Sequence, residues 1–238
     1  MSVEIVAGNP ERLEAILIEQ PSTPAKGLVL LVTGRDGNRF APCDAYVSAV
    51  LRAAGFATLL FDLSNDPATS DHAAPLDILH LADRLVSAVE ASRQADEVRS
   101  LPLGFFGAGT GAAIALVAAV RLGRQVGAVV SRGGHLDLAG MGLTGVVPPT
   151  LLIAGRADRH GLAQNRAALR RLGGRSRLEI APTAFDEPET LDIVVELALR
   201  WFRIHLRHKA RGDATGRSAS STALVNSRGS EPAEMLYR

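Results

Sequence analysis

A glycine-rich stretch at residues 104–113, "GFFGAGTGAA", has the residue types and spacing best suited to binding or catalysis in this sequence. Glycine turns between a strand and a helix support two kinds of chemistry. The pattern G-x-G-x-x-G/A binds the pyrophosphate of a dinucleotide, and the pattern G-x-S-x-G presents a nucleophilic serine. Residues 107–112 fit the first pattern at every position. They fit the second pattern except that Gly109 stands at the position of the serine.

Apolar runs of strand length alternate along the chain with helical patterns. The predicted strands cover residues 3–8, 13–20, 27–34, 56–63, 101–107, 126–133, 149–158 and 176–183. From residue 28 onward these runs are continuously apolar, which is typical of strands buried on both faces of a sheet. The first two runs alternate between polar and apolar residues, and they predict an antiparallel hairpin at the sheet edge.

Helical periodicity fills the segments between the later strands. The predicted helices cover residues 43–55, 75–92, 111–123, 163–172 and 188–210. Helix 111–123 is apolar on nearly every side, so we expect it to be buried against the sheet. Strands and helices that alternate at this spacing predict right-handed crossovers. The expected fold class is α/β, with a mostly parallel sheet of about eight strands and helices on both faces.

The composition is that of an ordinary globular protein, with 47% hydrophobic and 21% charged residues. A net charge of +1 gives no general attraction to nucleic acid or to an anionic membrane. The single cysteine, Cys43, excludes an internal disulfide and suits a reducing compartment. The sequence shows neither a signal-peptide pattern nor an apolar run of roughly 20 residues. We therefore expect a soluble, cytoplasmic protein without a nucleic-acid or membrane partner.

The composition changes after Ala210. Residues 211–238 are rich in glycine, serine, threonine and arginine and lack a sustained apolar period, which predicts a disordered tail. The remaining length suits a single α/β domain. We expect a globular domain over residues 1–210, followed by the tail over residues 211–238.

The position of the glycine turn in the chain separates its two interpretations. A dinucleotide site belongs to the first strand–helix unit, with an acidic residue at the end of the next strand. Here the turn follows the fifth predicted strand, and Arg132 stands where the acid belongs. An arginine at that place suits a 2′-phosphate, so an NADP-binding α/β protein remains an alternative. A nucleophile elbow follows a central strand, and its acid follows a later strand, as Asp158 does.

Sequence blocks in a fixed order then carry a family resemblance. They read "GLVLLVTGRDGNRFAPCD", "GFFGAGTGAAIAL", "AVVSRGGHLDLA", "PTLLIAGRADRHGLAQNRAAL", "APTAFDEPE" and "WFRIHL". Over about residues 11–206 the chain resembles the dienelactone-hydrolase-like branch of the α/β-hydrolases. The resemblance implies an α/β-hydrolase fold and an ancestral chemistry of ester or lactone hydrolysis.

The chain departs from the family pattern at its catalytic positions. Gly109 replaces the nucleophilic serine, and the segment "TAFDEP" at residues 183–188 is two residues shorter than the family's "ATHLFEEP" and lacks its histidine. Thr33 replaces the histidine of the oxyanion loop, and Arg35 and Asp36 replace small residues beside it. Only Asp158 remains of the triad. Since the triad needs a nucleophile, an imidazole and a carboxylate, the resemblance implies a catalytically degenerate protein.

The turn itself keeps features that suit a ligand. Glycine adopts the backbone of the elbow without the strain that a serine carries there. The amides of Thr110 and Gly111 begin a helix, and such a helix start binds an anion or a carbonyl oxygen. Thr33, Gly34, Arg35 and Arg132 complete the candidate ligand-binding residues. We therefore expect at most a small anionic or carbonyl ligand as the partner.

Several alternatives remain open at this point. His160 or His135 is a candidate to activate water beside Asp158, which would leave an active hydrolase, although both also fit surface or loop positions. Asp158 also fits a helix cap. A protein-interaction module is a further alternative. No histidine or cysteine falls in a metal-binding spacing, so we expect no metal and no cofactor.

Overall fold

The computed structural model describes residues 2–5, 16–19, 21–33, 42–62, 76–173, 175–182, 185 and 188–206. Within these residues, eight strands form one sheet in the order β1-β2-β4-β3-β5-β6-β7-β8. The strands are β1 (Ser2–Ile5), β2 (Ile16–Glu19), β3 (Leu28–Thr33), β4 (Ala57–Asp62), β5 (Leu103–Ala108), β6 (Val126–Arg132), β7 (Thr150–Gly155) and β8 (Arg177–Ala181).

Helices alternate with the strands from β3 onward. They are α1 (Pro42–Ala53), α2 (Ile78–Ser92), α3 (Thr110–Leu122), α4 (Arg159–Arg171) and α5 (Pro188–His205). Two 3₁₀ helices, Gly123–Gln125 and Leu136–Gly145, flank β6. None of the described helices is long and apolar enough to cross a membrane.

The pairing of the strands agrees with the sequence pattern. From β4 through β8 every neighbouring pair in the sheet is parallel, while β1 pairs antiparallel with β2 and β2 pairs antiparallel with β4. The expected edge hairpin and the expected α/β class are confirmed. The strand order is not that of the doubly wound dinucleotide-binding folds, so the topology disfavours the NADP alternative.

Two apolar clusters lie on opposite faces of the sheet. Successive strand residues alternate between them, so that Leu30 and Phe105 join one cluster while Leu31 and Phe106 join the other. The first cluster includes residues of α2 and α3, and the second includes residues of α1 and α5. Because both faces are covered, the central strand β3 is buried along its whole length.

Two helix starts differ from the sequence prediction by more than one residue, because an aspartate caps each of them. Asp77 Oδ1 accepts a hydrogen bond from the His80 amide at 3.0 Å, and α2 begins at Ile78 rather than at residue 75. Asp158 likewise precedes α4, which begins four residues before the predicted start. The described elements all belong to one compact unit, Met1–His208. The predicted tail, residues 211–238, lies outside the described residues.

Candidate functional site

The glycine turn lies between β5 and α3, near the middle of the sheet. Gly109 is the residue between the two elements, with φ 54° and ψ −125°. Its N–H donates to the Arg132 carbonyl at 3.2 Å, and its carbonyl accepts from the His135 N–H at 3.1 Å. A positive φ of this kind is strained for residues with a side chain, and it is the geometry in which a nucleophile elbow exposes its serine. The expected strand-to-helix turn at Gly109 is confirmed.

The glycines of the turn differ in the space around them. An ideal Cβ on Gly107 would lie 2.5 Å from Ala112 Cα, so the close approach of strand and helix requires glycine at that position. An ideal Cβ on Gly109 would meet only one described neighbour within 4 Å, His135 Cδ2 at 4.0 Å. As far as the described residues go, the position that a serine side chain occupies in an active elbow is therefore open.

Thr110 and Gly111, the residues after the turn, form the first turn of α3, and both are buried. That first turn contains no acidic residue. The positive end of the helix dipole therefore meets the carboxyl edge of the sheet without a local counter-charge from α3.

Thr33 lies at the carboxyl end of β3 and is buried. Its hydroxyl donates to the Phe61 carbonyl of β4 at 3.3 Å. This bond ties the side chain to the neighbouring strand. Gly34 and Arg35, the other candidate residues of this rim, lie outside the described residues.

Asp158, the residue expected to be the remaining triad acid, caps α4. Its Oδ1 accepts a hydrogen bond from the Gly161 amide at 2.8 Å. Any side chain on Gly161 would overlap the carboxylate, so the glycine makes this cap possible. Within the described part of the chain, no hydrogen bond joins Asp158 to an imidazole.

The two histidines considered from the sequence occupy different places. His160 lies exposed in the first turn of α4. His135 precedes the 3₁₀ helix after β6, is exposed, and contacts the elbow through its backbone N–H. The structure thus brings His135, and not His160, into contact with Gly109 among the described contacts.

Arg132 ends β6 at the same edge of the sheet. Its Cα pairs with those of Ala108 in β5 and Ile153 in β7. The guanidinium nitrogen Nη1 is buried and has no hydrogen-bond partner among the described residues. Buried donors are almost always paired, so an unpaired guanidinium nitrogen needs an explanation.

Sequence reasoning missed a polar support beneath this edge. Asn165 of α4 is fully buried, and its Nδ2 donates to the Gly134 carbonyl at 3.3 Å and to the Gly161 carbonyl at 2.8 Å. These bonds connect the turn after β6 to the capped start of α4. The sequence feature that could have indicated this support is an asparagine inside an amphipathic helix.

No group of three or more histidine, cysteine, aspartate or glutamate side chains among the described residues is placed to hold a metal ion.

The comparison with solved structures finds close agreement with hydrolases. The dienelactone hydrolase from Anabaena variabilis ATCC 29413 is 38% identical, with a TM-score of 0.78, and the match covers 87% of this chain and 99% of that chain. The esterase domain from a Rhodothermus marinus protein is 16% identical, with a TM-score of 0.68, over 87% of this chain and 98% of that one. At this lower identity the second match shows the fold alone.

Among curated proteins, two from Mycobacterium tuberculosis, each named "Putative phosphoribosyl transferase", are 42% identical over 208 residues. The match covers 86% of this chain but 46% of each relative, so the chain spans about half the length of the curated relatives it matches. No protein-family model matches the chain.

Proposed function

The chain belongs to the dienelactone hydrolase family of α/β-hydrolases, and we propose that its elbow binds a small anionic or carbonyl ligand without hydrolysing it. The observation that carries this proposal is Gly109. Its backbone keeps the conformation of an elbow residue, and no described side chain other than His135 lies within 4 Å of its Cβ position. Without an oxygen or sulfur atom there, no acyl-enzyme forms.

The residues that a catalytic triad uses to transfer a proton are also missing or otherwise engaged. The sequence contains no histidine between His160 and His205, so none follows β8 in the connection to α5. His205 itself lies at the end of α5, where its ring centroid is 4.3 Å from that of Trp201 and the two ring planes are tilted by 58°. Asp158 is engaged as a helix cap. A serine at residue 109 would therefore still lack the family's imidazole.

Ligand binding, in contrast, needs only the backbone amides at the start of α3 and space beside Gly109. The first turn of α3 faces the carboxyl edge of the sheet, and helix starts at this place bind anions and carbonyl oxygens. With glycine in place of serine, the described residues leave room for a ligand oxygen at the Cβ position of Gly109. Membership of the family favours a lactone or the corresponding acid as the ligand class.

The test combines binding with recovery of the ligand. A dienelactone is incubated with the full chain, its effect on the unfolding midpoint is measured, and the compound is then recovered and identified by chromatography. We expect a higher midpoint and intact lactone, with a weaker shift for Gly111→Pro, which removes one amide donor. A ligand at 100 times its Kd adds about 2.7 kcal/mol to the free energy of unfolding, which a thermal scan detects. Recovery of the hydrolysed acid above the buffer control contradicts the proposal.

A second candidate function follows from the placement of His135. Its ring carbon Cδ2 lies 4.0 Å from the Cβ position of Gly109, so an imidazole is present beside the open elbow. A hydrolase that activates water directly through this ring would need no serine. Turnover that disappears in His135→Gln and persists in His160→Gln would favour this candidate over the binding function.

The mycobacterial relatives are named for phosphoribosyl transfer, and we infer that this name refers to a part of those proteins outside the match. Those proteins are about twice as long as the matched segment, and the matched segment carries the α/β-hydrolase fold here. We assign phosphoribosyl transfer to the part of those relatives that this chain does not match. Phosphoribosyl transfer by the present chain alone is not expected.

A further inference from the structure

The strand β8 lies at one edge of the sheet. Among the described strands it pairs with β7 alone, and it ends the strand order. Ala181, at the end of β8, directs its carbonyl toward β7, where this carbonyl accepts the Arg156 N–H at 3.0 Å. Because successive strand residues direct their backbone groups to opposite sides, Leu178 and Ile180 direct theirs away from β7. The outer edge of β8 therefore presents backbone donors and acceptors that a further strand can bind.

The side chains of β8 divide between the two faces of the sheet. Ala181 packs in the cluster that includes residues of α1 and α5, so Arg177 and Glu179 lie on that face as well. These two side chains form an ion pair, with 2.7 Å between Arg177 Nε and Glu179 Oε1. On the other face, Leu178 packs against the cluster that includes residues of α2 and α3, and Ile180 is exposed. The edge strand thus has two opposite charges on one face and two apolar residues on the other.

Two copies of β8 can pair antiparallel with each other in registers that keep their outward-facing residues opposite one another. In the register centred on Leu178, Arg177 of each copy lies opposite Glu179 of the other copy. The registers centred on Arg177 and on Glu179 place a charge opposite its own copy, and the register centred on Ile180 places Glu179 opposite Ala181. Opposite charges across a strand pair are stabilising, and like charges are destabilising. The charges therefore select the register centred on Leu178.

We propose that the outer edge of β8 binds the same edge of a second copy of this chain, antiparallel and centred on Leu178, so that one continuous sheet passes through both copies. Leu178 then forms a hydrogen-bonded pair with its own copy, while Arg177 and Glu179 occupy a non-hydrogen-bonded pair, in which opposed side chains lie closer together. The ion pair of each copy joins its counterpart in a network of four alternating charges. Such a network stabilises more than an isolated exposed ion pair does.

The charged residues of β8 could instead protect the edge from pairing, which is the usual role of charges on edge strands. Protection of this kind works by repulsion between copies. In β8 the two charges are opposite and are spaced so that one register makes them complementary. This interface lies apart from the turn at Gly109, which follows β5 near the middle of the sheet, and the inference does not depend on the proposed ligand.

Sedimentation velocity of the purified full chain measures the association, at concentrations from about 1 µM to about 100 µM. We expect the original protein to dimerise as its concentration rises, because an interface built on two short strands is small and therefore weak. Ile180→Pro removes an outward-facing N–H but no bond to β7, and it should stay monomeric over this range. Arg177→Glu and Glu179→Arg should also stay monomeric, because each places like charges opposite one another.

An equimolar mixture of the Arg177→Glu and Glu179→Arg proteins tests the register itself. Two acidic side chains of one variant then lie opposite two basic side chains of the other, so we expect a heterodimer although neither variant dimerises alone. The double variant, which carries both substitutions, should dimerise as the original protein does. The matched control is Arg99→Glu: Arg99 is 65% exposed and paired with Asp96, as Arg177 is 64% exposed and paired with Glu179. This control should retain the dimer.

Far-ultraviolet circular dichroism establishes that each variant is folded before it is mixed. A monomer of the original protein at every concentration would overturn the inference. A dimer that persists in Ile180→Pro, or in both charge reversals, would place the interface elsewhere and would overturn it too. Failure of the two folded charge-reversal variants to form a heterodimer would contradict the pairing of Arg177 with Glu179.

Discussion

The side-chain position of Gly109 faces the ring of His135, with 4.0 Å between an ideal Cβ on the glycine and Cδ2 of the histidine. The two residues are also joined by the hydrogen bond from the His135 N–H to the Gly109 carbonyl. The elbow therefore keeps an imidazole at its tip but has no side chain for that imidazole to activate. The proposed ligand binding depends on the missing side chain at Gly109, and the alternative hydrolytic function depends on the nearby ring of His135.

Gly109→Ala should destabilise the protein only through backbone strain. The added Cβ meets no described atom closer than 4.0 Å, but φ 54° is unfavourable for alanine, so we expect a loss of about 1–3 kcal/mol in the free energy of unfolding. Gly123→Ala is the matched control, because Gly123 has φ 53° and nothing within 4 Å of its Cβ position. Denaturant titration should give similar losses for the two variants. A much larger loss for Gly109→Ala would show that the position above the elbow is filled.

Gly107→Ala should be more harmful than Gly109→Ala for a different reason. Its Cβ would lie 2.5 Å from Ala112 Cα and 2.8 Å from the Ala112 nitrogen, and backbone atoms of a buried helix cannot move aside easily. We expect the loss of stability to exceed that of Gly109→Ala in the same denaturant titration. Equal losses would contradict the close approach of β5 and α3.

Substitution of Asp158 separates a helix cap from a catalytic acid. Asparagine caps helices about as well as aspartate, whereas alanine loses about 1 kcal/mol. We therefore expect Asp158→Asn to retain the stability of the original protein and Asp158→Ala to lose about 1 kcal/mol in denaturant titration. Asp77→Ala, at the equivalent cap of α2, should show a similar loss. A selective effect of Asp158→Asn on lactone turnover would indicate a catalytic role instead.

The contact between α1 and α5 predicts a dependence on pH. Tyr46 donates a hydrogen bond to Asp192, and this bond, together with desolvation and the negative charge of Asp192, raises the pKa of Tyr46 above 10.0. A raised folded-state pKa means that the stabilisation is present below the unfolded pKa and is lost as pH rises through the folded pKa. We expect the stability difference between the original protein and Tyr46→Phe to vanish at high pH.

Ultraviolet absorbance supplies the direct check of that pKa. The sequence contains two tyrosines, Tyr46 and Tyr237, so Tyr237→Phe leaves Tyr46 as the one phenol to titrate. We expect Asp192→Asn to bring its titration back toward lower pH. An unchanged titration curve would show that the two side chains do not interact in solution.

Much of the fold could be predicted because local patterns and tertiary structure agree. The continuous apolar run of β3 is a strand buried on both faces, and the apolar surface of α3 is buried nearly all round. The start of α4 was predicted too late because its first turn is polar and contains Gly161, which weakens a helical pattern. Only the geometry of the Asp158 cap shows why that glycine fits.

The candidate site could be predicted only where it depends on local sequence. The turn at Gly109 is a local feature of β5 and α3, and its spacing is visible in the sequence. The contact of His135 with Gly109 depends on the path of the chain after β6, which no local pattern encodes. The burial of Arg132 Nη1 without a hydrogen-bond partner among the described residues likewise depends on tertiary packing, which no local pattern encodes.

The most direct test of the central claim is the rate of ester and lactone hydrolysis by the purified full chain. The rate with p-nitrophenyl acetate and with a dienelactone is measured against buffer, beside Gly109→Ser, His135→Gln and Asp158→Ala. We predict no turnover above buffer for the original protein, and little for Gly109→Ser because the histidine that should follow β8 is also missing. Turnover well above buffer that is lost in His135→Gln or Asp158→Ala would contradict the account.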